Sequence, residues 1–398
     1  MVNVKNVKYK NDNFSYQLTE ELKLILAIIR ENATKEKLER WENRNINWKT
    51  FIQLALHHRV YPYVYWKLNM MKLNWIPNSV IDILYKRYQQ NVFFMLQLTA
   101  EMEAVGKLLT TNDIQALFLK GPILASDLYG DLSLRTSKDL DILISSHNIK
   151  GTDEILSKYG YIKIEEDSIL NEDRWRTHHS LYIHPKTKFS IEVHWRLNDK
   201  PDKEPDFNLL WKRRKISTIM GQTINILGEE DLLLYLISHG ARHGWFRLRW
   251  LLDIDRIIQR EVKWEKINQI IKQYSNEHLV GQSLILANRL LDTPISKEIS
   301  SLLIDKSYKL ADAATVFIQG SDIDQPFPEV LKPLLRSYTW NLQKNLIQRI
   351  KYFFVLAYPS YKDFQVLKLP TKMHFLYFPL RPFLFAGRKL KILKVNEN

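Results

Sequence analysis

The chain has 398 residues, 45% hydrophobic and 26% charged, so an ordinary globular protein with two or three domains is expected and disorder is not the default. Cysteine is absent, which rules out disulfides, thiolate metal sites and a cysteine nucleophile. A formal charge of +14 favours anionic partners: nucleic acid, nucleotides or acidic lipid headgroups.

Helices dominate the first 110 residues. Leu22, Ile25, Leu26 and Ile29 recur at helical spacing behind Thr19, a good N-cap, and predict a helix over 18–29. A second is expected over 48–58, ended by Val60-Tyr61-Pro62 because proline restricts its predecessor. A long third helix runs from Asn78 or Ser79 to about Leu109, with Val80, Ile81, Leu84, Tyr88, Val92, Met95 and Leu96 on its buried side.

Alternation and β-branched content rise over 111–228. Strands are predicted at 114–119, 139–144, 161–164, 180–183, 189–194 and 223–227, with a helix over 148–159 and a hairpin turn at His184-Pro185-Lys186-Thr187. After Gly228 the pattern turns helical again. Helices are expected after the acids Glu229-Glu230-Asp231 and over 264–274, 279–291 and 297–310. The division is thus a helical region 1–110, an α+β catalytic domain 111–228, a helical domain 229–365 and a basic, aromatic tail 366–398. Pro370, Pro379 and Pro382 break up any long amphipathic helix in that tail, so packing across the domain is favoured over lying on anionic lipid.

The chemistry centres on Leu119–Ile144, LKGPILASDLYGDLSLRTSKDLDILI. It reads as a strand, a turn at Lys120-Gly121-Pro122, a helix and a second strand. In that second strand Asp139 and Asp141 share one face while Leu140 and Ile142 share the other. Two carboxylates on one face repel unless a cation lies between them. Mg²⁺ (or Mn²⁺), which brings substrate phosphates with it, is the expected ion.

The run LKG, then LYGD, Arg135 and DLDILI resembles the signature of an uncharacterised bacterial nucleotidyltransferase family with the polymerase β type of fold. The resemblance implies an α+β core, a mixed sheet with helices, flanked by helical N- and C-terminal regions. It also implies a third acid from a later strand, for which Glu192 in Ser190-Ile191-Glu192-Val193-His194-Trp195 is the candidate. Asp139, Asp141 and Glu192 would then be catalytic and hold the metal, with Glu192 able to accept the proton of the incoming hydroxyl.

Gly121 would bring backbone N–H groups close to phosphate, although Pro122, where the superfamily it resembles often has a serine, removes both a hydroxyl and an N–H. Lys120 and Arg135 are the nearest cations for phosphate. The other reading of Arg135 is a pair with Asp131 or Asp139 that only shapes the site. Trp195 is the aromatic placed to stack a base. His178, His179 and His194 could orient the acceptor, against an ordinary hydrogen-bonding role. His239, His243 and Asp253 could make a zinc site, but the spacing lacks the glutamate of a zinc protease, and a helix lining the cleft is the better reading. No G-x-S-x-G elbow, Walker loop or dinucleotide fingerprint occurs, so those enzyme classes drop out.

The expected activity is Mg²⁺-dependent transfer of a nucleoside monophosphate from an NTP, with ATP the default donor, to a hydroxyl or phosphate of an unknown acceptor: a small molecule, a sugar phosphate, a peptide or RNA. The alternative is a non-catalytic basic protein holding RNA or another anionic partner, and a third is a peripheral membrane scaffold using the tail. No stretch approaches the ~20 apolar residues of a membrane span, and the N-terminus lacks a secretory apolar core. A cytoplasmic protein is expected, with the membrane periphery as the other location.

Overall fold

The computed structural model describes residues 18–164, 170, 178–198, 203–219, 221–260, 262–319 and 331–390. The first seventeen residues and the last eight of the basic tail lie outside them. Helix α1 (Glu20–Ile29) is capped by Thr19, whose hydroxyl accepts from Leu22 N–H at 3.2 Å, and buries Leu22, Ile25, Leu26 and Ile29. Short α2 (Lys35–Glu39) and α3 (Trp48–His57) follow. Pro62 ends no helical region: it sits in the first turn of α4 (Tyr61–Met71), where a missing N–H costs nothing because that donor has no intrahelical partner.

Helix α5 (Asn78–Thr111), 34 residues and about 50 Å long, joins two cores. Val80 and Leu84 in its first half belong to a large helical core; Met95, Leu98, Met102, Val105 and Leu109 in its second half pack on the sheet. Leu96, expected inside, is 45% exposed, because the buried stripe runs through Met95 and Leu98 instead.

The sheet is mixed and seven-stranded: β1 (Ala116–Phe118), β2 (Leu140–Ile144), β3 (Ile162–Ile164), β4 (His179–Ile183), β5 (Ser190–His194), β6 (Lys215–Ile219) and β7 (Gln222–Ile226), in the order β3-β4-β5-β2-β1-β7-β6. β2 runs parallel to β5 and antiparallel to β1. Asp139 falls just before β2 rather than within it. The β4–β5 hairpin turns where expected, with Thr187 N–H donating to His184 Nδ1 at 3.2 Å. Between β1 and β2 lies α6 (Pro122–Tyr129), between β2 and β3 lies α7 (Ile149–Lys158), and α8 (Phe207–Arg213) precedes β6. β6 was not anticipated. Of its five residues only Ile219 is buried, so it shows no alternating apolar face.

One sheet face, carrying Leu140, Ile142, Ile191 and Val193, packs on α5. By strand alternation Asp141, Leu143, Glu192 and His194 point the other way, toward α9 (Glu229–Arg242) and α10 (Leu248–Ile258). Then come α11 (Trp264–Tyr274), α12 (Glu277–Leu291), α13 (Asp305–Gln319), α14 (Lys332–Leu342), α15 (Leu346–Ala357), α16 (Tyr361–Val366) and α17 (Tyr377–Lys389). The helix expected over 297–310 is two pieces, a 3₁₀ helix Lys297–Leu302 and then α13. The break is held by Ser307 Oγ donating to Leu302 carbonyl at 2.9 Å. It packs so tightly on α12 that a Cβ on Gly281 would lie 2.0 Å from that carbonyl. The N-terminal helices share their core with these C-terminal ones: Arg30, at the C-terminal cap of α1, pairs with Asp292 just beyond α12 at 2.9 Å. α17 runs through Pro382 despite the expected break.

Candidate active site

The turn from β1 into α6 is built around Gly121, whose φ of 93° and ψ of −150° form a combination reached essentially only by glycine. That conformation, with Pro122 opening α6, sets Lys120 just past the end of β1, beside β2. Lys120 Nζ lies 2.9 Å from Asp141 Oδ1 and 5.7 Å from the centre of the Tyr235 ring on α9. Burial opposes its charge, but Asp141 overrides it and the ammonium stays firmly protonated.

Register brings the second half together. In the parallel β2–β5 pair Asp141 stands opposite Glu192, and Leu143 opposite His194. His194 Nε2 is 3.3 Å from Asp141 Oδ1 and 3.4 Å from Glu192 Oε2, between the two carboxylates. Donor atoms of Asp141, Glu192 and His194 all lie within 4.8 Å of one another, a spacing a metal ion can bridge, as do those of His178, His179 and His194. Asp139 belongs to neither group, and it stands beside the cluster as an electrostatic neighbour.

The titrating groups divide sharply. Burial and the Asp141 charge push Asp139 up to about 6. Burial also works against the Asp141 anion, yet Lys120 and His194 hold it well below the usual carboxylate range. Glu192 is likewise lowered, its burial outweighed by His194. His194 is raised, because Asp141 and Glu192 outweigh its desolvation. His178 moves the other way, to about 2, through burial and the positive His194 and Arg242 around it, and His179 is lowered for the same first reason. Asp141 and Glu192 are thus ionised and His194 is the proton-bearing member of the histidine group.

The other expected residues are placed differently. Arg135 does not face the cluster: it donates from Nε and Nη2 to both oxygens of Asp253, each at 2.9 Å, with both side chains fully buried. Its partner is neither Asp131 nor Asp139. Because Tyr129 also donates to Asp253 at 2.8 Å, that carboxylate is spoken for and no zinc set forms with His239 and His243. In the wall opposite the sheet His239 meets His243 at a tilt and Trp250 edge-on. Trp195 is half-buried just past β5, its backbone N–H donating to the His178 carbonyl at 3.0 Å.

Three residues escaped the sequence reading. Tyr235 places its ring under Lys120; Arg242 Nη1 approaches His178 Nε2 at 3.3 Å; buried Arg249 donates to Thr136 Oγ1 at 3.1 Å and bears electrostatically on Asp139. Tyr235, His239 and Arg242 repeat at i, i+4 and i+7 on α9, so the cleft-lining helix expected at His239 carries Tyr235 and Arg242 on the same face.

A mixed sheet flanked by helices, with a glycine turn ahead of an acidic strand, defines an α+β protein. Residues 44–292, more than half of the chain, match the family model described as uncharacterised nucleotidyltransferase, and the chain belongs to that family. Among solved structures, a similar one is described as an antigenic nucleotidyltransferase-like protein from Paracoccidioides brasiliensis. It is 14% identical, covers 49% of this chain and 96% of its own, and has a TM-score of 0.30. A comparison with curated proteins finds no match.

Proposed function

We propose that the protein transfers a nucleoside monophosphate from an NTP to a hydroxyl or phosphate oxygen of an acceptor, using Mg²⁺ or Mn²⁺. The observation that carries this reading is the register pairing of Asp141 with Glu192, which gathers two ionised carboxylates and His194 into one cluster. The donor set fits a hard divalent ion. The carboxylates are crowded enough to drive Asp139 toward protonation, a repulsion that a divalent ion would relieve. Asp141 and Glu192 would hold the ion, with Asp139 beside them. When bound, it would offset phosphate charge and orient the triphosphate.

The chain's own groups supply the rest. Lys120, a point charge 2.9 Å from Asp141, presents a cation to the phosphates from the glycine turn. Transfer forms a bond from the acceptor oxygen to the α-phosphorus and breaks the α–β anhydride, so pyrophosphate leaves. Glu192, ionised and more exposed than Asp141, takes the acceptor proton, a role worth ~10²- to 10⁴-fold. ATP is the default donor.

A second reading, a non-catalytic anion-binding protein on the same fold, draws support from the Lys120–Asp141 pair, since the acid is already neutralised by a side chain. Calorimetric titration of NTPs with and without Mg²⁺, together with pyrophosphate release, separates the two. The enzyme reading expects metal-dependent NTP binding that Asp141→Asn abolishes. Unchanged binding and release in an Asp139→Ala/Asp141→Ala variant would reject it.

A further inference from the structure

Helix α15 is turned inside out. Gln348, Lys351, Tyr352 and Val355, at i, i+3, i+4 and i+7, line a cavity of about 220 Å³ that also touches Arg242 on α9. The opposite face, Leu346, Ile347, Ile350, Phe353 and Phe354, is 47–70% exposed. Four aromatic residues of the following segment, Phe375, Phe378, Phe383 and Phe385, are 47–73% exposed as well. A helix in a water-soluble domain normally buries its apolar stripe, and an apolar surface of this extent marks an interface.

Charge identifies what covers it. Residues 331–390 contain eleven Lys and Arg against a single acid, Asp363. That acid is fully buried and paired with both Arg381 and Arg388, so it offers no negative charge to the outside. Lys362, Lys368 and Lys372 are exposed beside the aromatic residues. Apolar side chains ringed by cations and devoid of exposed carboxylates match the boundary of an anionic bilayer, where aliphatic groups enter the acyl region and ammonium groups meet headgroup phosphates. A nucleic acid would use the cations and some rings but has no place for Leu346, Ile347 and Ile350. A second copy of the chain would bring the same positive charge against itself. No helix of the described residues is long and apolar enough to cross a membrane, so attachment is from one side.

We propose that the face formed by α15 and the segment around α17 docks the protein on an anionic membrane surface. The polar side of α15 stays with the protein, keeping the cavity open beside the bilayer. The inference is independent of the reaction at the Asp141–Glu192 cluster.

Flotation of the full chain with phosphatidylcholine vesicles, and with vesicles containing phosphatidylglycerol, tests it at low and high salt. Binding to the anionic vesicles alone, weakened by salt, is expected. It should fall about tenfold or more in Ile350→Ser/Phe353→Ser and in Lys368→Glu/Lys372→Glu. Both pairs are exposed, so circular dichroism and Tm should stay those of the wild type. Absence of vesicle binding overturns the proposal. So does equal binding to neutral vesicles, a lipid-free dimer broken by the Ile350/Phe353 variant, or RNA binding in place of vesicle binding.

Discussion

Arg135 and Asp253 form a two-pronged ion pair, two N···O contacts of 2.9 Å between side chains with essentially no solvent contact. It ties the segment before β2 to α10, and therefore the sheet to the C-terminal helices. Tyr129 adds a third bond to the same carboxylate. Removing one member leaves the other buried without its countercharge, which costs about 3–5 kcal/mol. Asp253→Ala should therefore lower stability by that order, read from urea unfolding. Arg135→Lys should lose most of the same energy, because an ammonium cannot reproduce the planar fork. A variant that keeps its stability but loses NTP affinity would instead put Arg135 on the phosphates.

Gly121 makes a separate prediction. A Cβ there would meet its nearest atoms at 3.6 Å, ordinary contact, so space is not the obstacle. The backbone is. Gly121→Ala forces a side chain into a glycine-only region and should destabilise by about 1–3 kcal/mol, or relax the turn and shift Lys120. The second outcome would appear as weakened NTP binding with little change in Tm. Gly281→Ala gives the contrast: its Cβ would strike the Leu302 backbone carbonyl, so it should lower Tm without touching nucleotide binding.

These residues also show what was legible. Alternation around Asp141 and Glu192 was readable because period two fixes which face each side chain takes; that the two strands are parallel neighbours in matching register was not, since pairing is non-local. Asp139 slipped out of β2 because a strand's end is set by its neighbour and not by its own residues. α4 was hidden by Pro62, read as a helix stop although its ring fits the first turn of a helix, where no N–H is needed. Arg135 was misdirected for want of Asp253, 118 residues away. The α+β core between helical regions followed from pattern alone, whereas α15, whose apolar stripe faces solvent, had no counterpart among the expected helices.

Metal binding has a readout that needs no acceptor. Asp141, Glu192 and His194 are neutralised in part by one another and by Lys120, and a divalent ion would add charge compensation available only in the folded state. Mg²⁺ or Mn²⁺ at about a hundred times its dissociation constant should stabilise the fold by about 2.7 kcal/mol. Asp141→Asn and Glu192→Gln should each flatten the dependence of Tm on metal concentration. Lys120→Met should steepen it, since the ion then replaces a lost cation. A wild-type Tm indifferent to both metals would end the metal assignment.

His278 gives a pH dependence away from the cluster. It is buried on α12, bonds through Nε2 to Leu342 carbonyl at 2.8 Å, and burial, with Lys306 adding to it, drops its pKa to about 4. The unfolded chain binds the proton near 6.5, so between these values the unfolded state holds more protons and stability falls as pH is lowered. The contribution is fully present above about 6.5 and is lost progressively down to about 4, to a limit of about 3 kcal/mol. His57, His58 and His239 are lowered by burial as well, so the wild-type curve sums several groups. The difference between wild type and His278→Gln isolates one. Glutamine can still donate to Leu342 but takes up no proton, so the variant should lose less stability on acidification across that window. Parallel stability curves for the two proteins from pH 7 to 4 would show that His278 does not titrate as its burial requires.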